Sequence, residues 1–138
     1  MKINFKQINK HFGEVHANAD ITLEIRSGII FGVLGENGAG KSTLMKILSG
    51  FIQPDSGEIL LDDQLVSIAN PADAIKYGIG MLHQDPLDFP PMRIIDNFIL
   101  GQHGGLILSH KDAIQAFHKL QAEFGFSLDP DTYVETLT

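Results

Sequence analysis

An α/β fold with a mixed organisation is predicted by three features of the 138-residue sequence. Apolar and polar residues alternate through much of the first 25 positions, the period of half-buried strands. A continuous apolar run, Ile29–Leu34, enters a glycine-rich loop that leads into residues at helical spacing. Helical patterns then appear over Ile94–Leu100 and Ala113–Phe124.

The elements follow in order. Lys2–Phe12 carries Ile3, Phe5 and Ile8 among polar residues and is expected to be extended. Asp20–Ile25 sets Ile21, Leu23 and Ile25 against Thr22 and Glu24, a strand with one wet face. Arg26-Ser27-Gly28 is a turn. Ile29–Leu34 suits a strand covered on both faces. After the loop, Leu44, Met45, Ile47 and Leu48 mark a helix over Lys41–Leu48, which Gly50 can end. Pro54-Asp55-Ser56-Gly57 is a turn before a short strand, Glu58–Leu61, and Asp62-Asp63-Gln64 turns the chain again. Pro71–Tyr77 has proline at a helix start and Gly78 beyond its end. Ile79–Leu82 is expected as a strand, and Pro86, Pro90 and Pro91 make residues 85–93 a loop. Ile94–Leu100 is helical in pattern, and Ser109-His110-Lys111-Asp112 resembles a capping box opening a helix over Ala113–Phe124.

Composition narrows the function classes. Hydrophobic residues make up 43 % and charged residues 20 %, ordinary for a globular domain. No run approaches the roughly 18 apolar residues of a membrane-spanning helix, and Met1–Lys10 lacks the pattern of an export signal. The absence of cysteine excludes disulfides and thiolate metal sites. Net charge is −7 and the ten Lys and Arg residues are scattered, so nucleic acid is not an expected partner.

The chemistry concentrates in residues 35–42, GENGAGKS, which fit G-x-x-x-x-G-K-[ST] at each fixed position. A polyphosphate needs many donors at close range. Backbone N–H groups of Glu36, Asn37, Gly38, Ala39, Gly40, Lys41 and Ser42 can wrap it, because Gly35, Gly38, Ala39 and Gly40 put little side chain in the way. The helix that follows aims its positive end at the same place. Lys41 supplies a cation for the β and γ phosphates, the Ser42 hydroxyl can ligate Mg²⁺, and Thr43 is placed to donate to the α phosphate. ATP with Mg²⁺ is the expected ligand.

Along its whole length the sequence resembles the ABC transporter ATPases. The resemblance is carried by GENGAGKSTL at 35–44 continuing into MKILSG, by FIQPDSGEILLDD at 51–63, by YGIGMLHQ at 77–84 and by RIIDNFILG at 93–101. It implies a P-loop NTPase core of RecA-like type, an N-terminal antiparallel β subdomain and the start of an α-helical subdomain: one ABC domain over 1–138, divided into 1–84 and 85–138. Segments 17–25, 54–59 and 71–84 look most like the ATPases of importers for simple sugars and nucleosides.

The resemblance assigns further roles. Gln84 is the Q-loop glutamine, a Mg²⁺ ligand that helps position the attacking water, so Lys41 and Gln84 are the expected catalytic residues. Phe12 lies where the family stacks an aromatic ring on adenine, worth about 1–3 kcal/mol on such platforms. Packing at a strand end also accounts for that ring. Val15 would add an apolar edge. His83 lies in the Q-loop strand and is read as structural or solvated. The loop Asp85–Arg93, with Phe89 and Met92, is the candidate surface for transmembrane permease subunits. A second ATPase subunit would close head to tail, and the whole would sit peripherally on the cytoplasmic face of the membrane.

Other motifs of the family are not found in these residues: an L-S-G-G-Q-like signature, a Walker B strand ending in Asp-Glu, and a switch histidine. Ile59-Leu60-Leu61-Asp62-Asp63 imitates Walker B but comes too soon after the loop and occupies the family's hairpin turn. Leu100-Gly101-Gln102 with Gly104-Gly105 echoes the signature in the wrong order. Val134–Thr138 resembles the stretch just before the signature, so an incomplete domain is expected, one that binds ATP without hydrolysing it alone. The family places two strands between the P-loop strand and the Q-loop strand, so a gap with exposed apolar surface is expected too. A non-transport ABC ATPase is an alternative. A nucleotide kinase fits less well, since Arg26 and Arg93 are the only arginines.

Overall fold

A computed structural model describes residues 1–84, 88–100 and 109–137. They fall into two compact units, Met1–Leu82 and His83–Thr138.

The first unit is built on a four-stranded antiparallel sheet. Its strands are β1 (Ile3–Phe12), β2 (Val15–Ile25), β3 (Ser56–Leu61) and β4 (Gln64–Val66), in the spatial order β2-β1-β3-β4. β1 and β2 form a long hairpin in which Ile3 faces Ile25 and Phe12 faces Val15. Both strands run longer than a strict alternation requires, because register shifts absorb the irregular stretch from Phe5 to His11. β3 pairs with β1, Phe5 opposite Ile59.

The turn between β3 and β4 places Asp62 and Asp63 at φ 48° and 64°. Aspartate is among the few residues that tolerate two successive left-handed positions, the geometry of a tight hairpin. Lys2 holds both carboxylates: its backbone N–H donates to Asp62 Oδ1 and its Nζ to Asp63 Oδ2, each at 2.7 Å. This acidic pair closes a hairpin, as expected, rather than ending a catalytic strand.

Two helices pack on this unit. α1 (Lys41–Leu48) buries Leu44, Ile47 and Leu48. α2 (Pro71–Lys76) starts where the Asn70 side chain accepts a hydrogen bond from Asp73 N–H. Phe5, Ile8, Ile47, Ile59, Leu61, Ile68, Ala74 and Ile79 share one core with α1's apolar face.

Two expected strands do not form. Residues 29–34 and 79–82 have no ladder partner among the described residues. Ile30, Leu34 and Leu82 are 104 %, 94 % and 98 % exposed. A strand buried on both faces exists only with neighbours on its edges and layers above and below. No described segment supplies them here, so the apolar run stays extended and open to solvent.

The second unit holds α3 (Ile94–Leu100) and α4 (His110–Phe124). α4 is opened by Ser109, whose hydroxyl accepts from Asp112 N–H, and closed by Gly125 at φ 70°. Ile94, Ile95, Ala113 and Phe117 form its core. The C-terminal segment returns across the start of α3: Ile94 N–H donates to the Thr132 carbonyl and Ile95 N–H to that of Pro130.

Candidate phosphate-binding site

The loop 35–40 leads directly into α1. The helix has Gly40 as its N-cap and no side-chain cap bond. The first N–H groups of any helix lack intrahelical acceptors. Here no capping side chain takes them up, so Lys41, Ser42 and Thr43 present theirs at a positive helix end. Ser42 is exposed and Thr43 half-buried, while residues 35–39 are all exposed.

Gly40 is the buried pivot of the loop. Its φ is 79°, and a Cβ there would overlap the Ala17 carbonyl oxygen and come within 2.7 Å of Asn18 Nδ2. Only glycine satisfies both the left-handed backbone and the close approach. β2 thus forms the floor of the loop.

Two side chains secure that loop. Lys41 Nζ donates to the carbonyl oxygens of Gly35 and Glu36, both at 2.7 Å. The lysine therefore folds back over the start of the loop, holding a positive charge against it. The Asn18 amide, buried in the floor, donates through Nδ2 to the Gly40 carbonyl at 3.2 Å. Lys41 was legible in the sequence. Asn18 was not, because a polar residue two before the alternating stretch of β2 reads as an ordinary wet-face position.

The expected base-stacking residues sit at the tip of the β1–β2 hairpin. Phe12 and Val15 pair across it and are 49 % and 64 % exposed, so neither is a core residue. Val15 is two positions from Ala17, whose carbonyl lies under Gly40. One face of the Phe12 ring is occupied by Lys10 Nζ, 5.7 Å from its centroid.

Lys10 is itself anchored. Its Nζ donates to Asp55 Oδ1 at 2.7 Å, and His11 N–H donates to Asp55 Oδ2 at 2.6 Å. These contacts hold the Asp55 carboxyl down at about 2, the Lys10 hydrogen bond being the largest cause. His11 stacks on His16 across the hairpin at 3.8 Å. The turn at 54–57 thus braces the hairpin tip, a link that sequence spacing does not reveal.

Gln84 is exposed and belongs to the second unit. His83 is half-buried. Of the loop 85–93, residues 85–87 lie outside the described residues, as do Gly101, Gln102, Gly104, Gly105 and Thr138. The remainder of that loop is pinned by Asn97, whose Oδ1 accepts from Phe89 N–H at 2.7 Å while its Nδ2 donates to the Phe89 and Arg93 carbonyls. Phe89 is left 55 % exposed.

A left-handed glycine seated on a strand, a lysine over the loop and an uncapped helix behind it define a P-loop protein. The chain belongs to the ABC transporter family, whose sequence pattern matches residues 18–138. Among its relatives, it is 38 % identical to the nucleoside import ATP-binding protein NupA of Lactococcus lactis subsp. cremoris, over 99 % of this chain and 27 % of that protein. It is 40 % identical to the ribose import ATP-binding protein RbsA 1 of Streptomyces coelicolor, over 91 % of this chain and 26 % of the relative. It thus spans about a quarter of the length of these curated relatives. In fold it is similar to a nucleotide-free ATP-binding cassette from an ABC transporter, with a TM-score of 0.85 at 24 % identity, covering 100 % of this chain and 60 % of that one. It is also similar to the ADP conformation of another cassette, with a TM-score of 0.83 at 23 % identity, over 100 % and 59 %.

Proposed function

We propose that this chain is the ATP-binding part of an importer ATPase that couples nucleotide binding and hydrolysis to uptake of a small solute of the sugar or nucleoside class. The observation that carries this reading is the loop itself. Gly40 on its floor, Lys41 over its start and the uncapped N-terminus of α1 converge on one place. Likeness to sugar and nucleoside import proteins over nearly the whole chain supports the importer class.

The residues fit a Mg²⁺-bound triphosphate. The amides of Glu36, Asn37, Gly38, Ala39, Gly40, Lys41 and Ser42 would hold the phosphates, with Gly35 starting the turn. Lys41 would exchange its two carbonyl acceptors for phosphate oxygens. Ser42 and Gln84 would ligate Mg²⁺, and Thr43 would donate to the α phosphate. Phe12 would stack on the base with the ring face that Lys10 leaves open, and Val15 would line its edge. The metal supplies charge neutralisation for phosphoryl transfer. Two copies would close head to tail, and the loop 85–93 would meet permease subunits at the cytoplasmic face of the membrane. No helix among the described residues is long and apolar enough to cross one.

A narrower reading concerns these 138 residues alone: they bind ATP without turning it over. It rests on the want of a signature and a Walker B strand in this stretch of sequence.

Lys41→Ala is the test of binding. Removing this cation should weaken ATP binding by about 10- to 150-fold, since one charge-assisted hydrogen bond to phosphate contributes about 1.5–3 kcal/mol. Calorimetric titration reads this directly, and undiminished affinity would sink the proposal. For docking, Ala at Phe89 and Met92 should impair transport while leaving ATP affinity alone; intact uptake would reject this surface.

A further inference from the structure

We infer that Asn18 is a positioning residue of the phosphate loop, setting the direction of the amide that Lys41 offers to a phosphate. This deepens the proposed function and rests on it.

Asn18 is 3 % exposed, one of the two buried polar side chains among the described residues. Its Nδ2 donates to the Gly40 carbonyl, while its Oδ1 has no partner among the described residues. A buried amide oxygen left unpaired is costly, and an apolar side chain of the same size avoids that cost altogether. The fold therefore carries a group that is poor for stability at this position. What the group does is hold one carbonyl.

That carbonyl matters because of what shares its peptide. The Gly40 oxygen accepts from Leu44 N–H at 2.9 Å, the first bond of α1, and from Asn18 as a second donor. In a planar trans peptide the C=O and the following N–H point in opposite directions. Drawing the Gly40 oxygen toward β2 and down the helix thus turns the Lys41 N–H out of the helix end, toward the open side of the loop. Gly40 has no side chain to restrain this peptide, and its left-handed backbone is one that glycine can leave readily. Leu44 N–H holds that oxygen from within the helix, and Asn18, fixed on a strand, adds a second restraint from the floor. It is a donor placed on the floor so that another donor faces the ligand.

The test compares the wild type with Asn18→Leu and Asn18→Asp, in the intact protein as its source makes it. ATP affinity is read by calorimetry and the thermal midpoint on the same preparations. Asn18→Leu removes both the donor and the orphaned oxygen. It should bind ATP about three- to tenfold more weakly, the worth of one neutral hydrogen bond, with a midpoint unchanged or raised. Asn18→Asp keeps the shape but sets an acceptor against the Gly40 carbonyl, so its loss should be larger; it carries the test if the leucine variant does not fold. Displacement by inorganic tripolyphosphate should weaken in parallel, because the effect lies on the phosphates.

A merely structural role would lower affinity and midpoint together in the leucine variant, and that outcome overturns the inference. So does affinity within about twofold of wild type in either folded variant. A wild type that binds no ATP would instead sink the proposed function and this inference with it, whereas normal wild-type binding with an indifferent Asn18 removes the inference alone.

Discussion

The two flanks of the phosphate loop are similar in sequence and opposite in fate. Behind the loop, Leu44, Ile47 and Leu48 are buried against the sheet. Ahead of it, Ile29, Ile30, Phe31 and Leu34 are exposed, Ile30 completely. Apolar content does not separate them. Backbone bookkeeping does. A helix satisfies its own N–H and C=O groups and needs a partner for only one face. A doubly covered strand must borrow every hydrogen bond from neighbours and needs layers on both sides. One sheet is enough to seat α1, and not enough to make residues 29–34 a strand.

That contrast is open to attack by substitution, and the largest effect is expected where the loop meets its floor. Gly40→Ala forces a Cβ into the Ala17 carbonyl and a non-glycine residue into left-handed backbone. It should destabilise the first unit by at least about 3 kcal/mol. Urea unfolding checks this, and a change below about 1 kcal/mol would mean that the loop does not rest on β2.

Next comes the matched pair of isoleucines. Ile47 is 1 % exposed and Ile30 104 %. Ile47→Ala should cost about 2–5 kcal/mol, as for a buried large-to-small change, and Ile30→Ala less than about 0.5 kcal/mol. Equal costs would show that residues 29–34 are covered in solution by something that the described residues do not include. Ile30→Ser with Leu34→Ser should also reduce self-association in sedimentation without moving the unfolding midpoint.

The smallest effect concerns the brace at the hairpin tip. The Asp55 carboxyl sits at about 2, below its ordinary 3.8, because Lys10 and His11 favour its charged form. A group depressed in the folded state contributes stability above its unfolded value and loses that contribution as pH falls through the folded one. Stability should therefore decline as pH drops from about 4 to about 2, and Asp55→Asn should remove that part of the slope. In this ion pair Asp55 is exposed and Lys10 is half-buried, so salt should screen part of the change. A pH profile identical in wild type and Asp55→Asn would show that the brace does not form.

Much of this architecture is legible in the chain. Alternation at Ile21, Leu23 and Ile25, the proline and glycine bounding Pro71–Lys76, and the Ser109 cap each act within a few residues, and each element is where local chemistry puts it. The site is legible for the same reason. A P-loop is a contiguous motif, and its glycines, Lys41 and Ser42 are needed at set spacings to present donors.

What local chemistry could not reveal depends on residues far apart in sequence. The floor under Gly40 comes from Ala17 and Asn18, some twenty positions earlier. The brace on Lys10 comes from Asp55, 45 residues away. The fate of Ile29–Leu34 and Ile79–Leu82 turned on whether other strands lay beside them. By itself, then, the sequence determined the loop, the helix behind it and the turn at Asp62-Asp63, because each is built from neighbours in the chain. Only the tertiary structure decided which strand carries the loop, which buried amide holds it and which apolar segments are left uncovered, because those outcomes depend on long-range partners that no local pattern specifies.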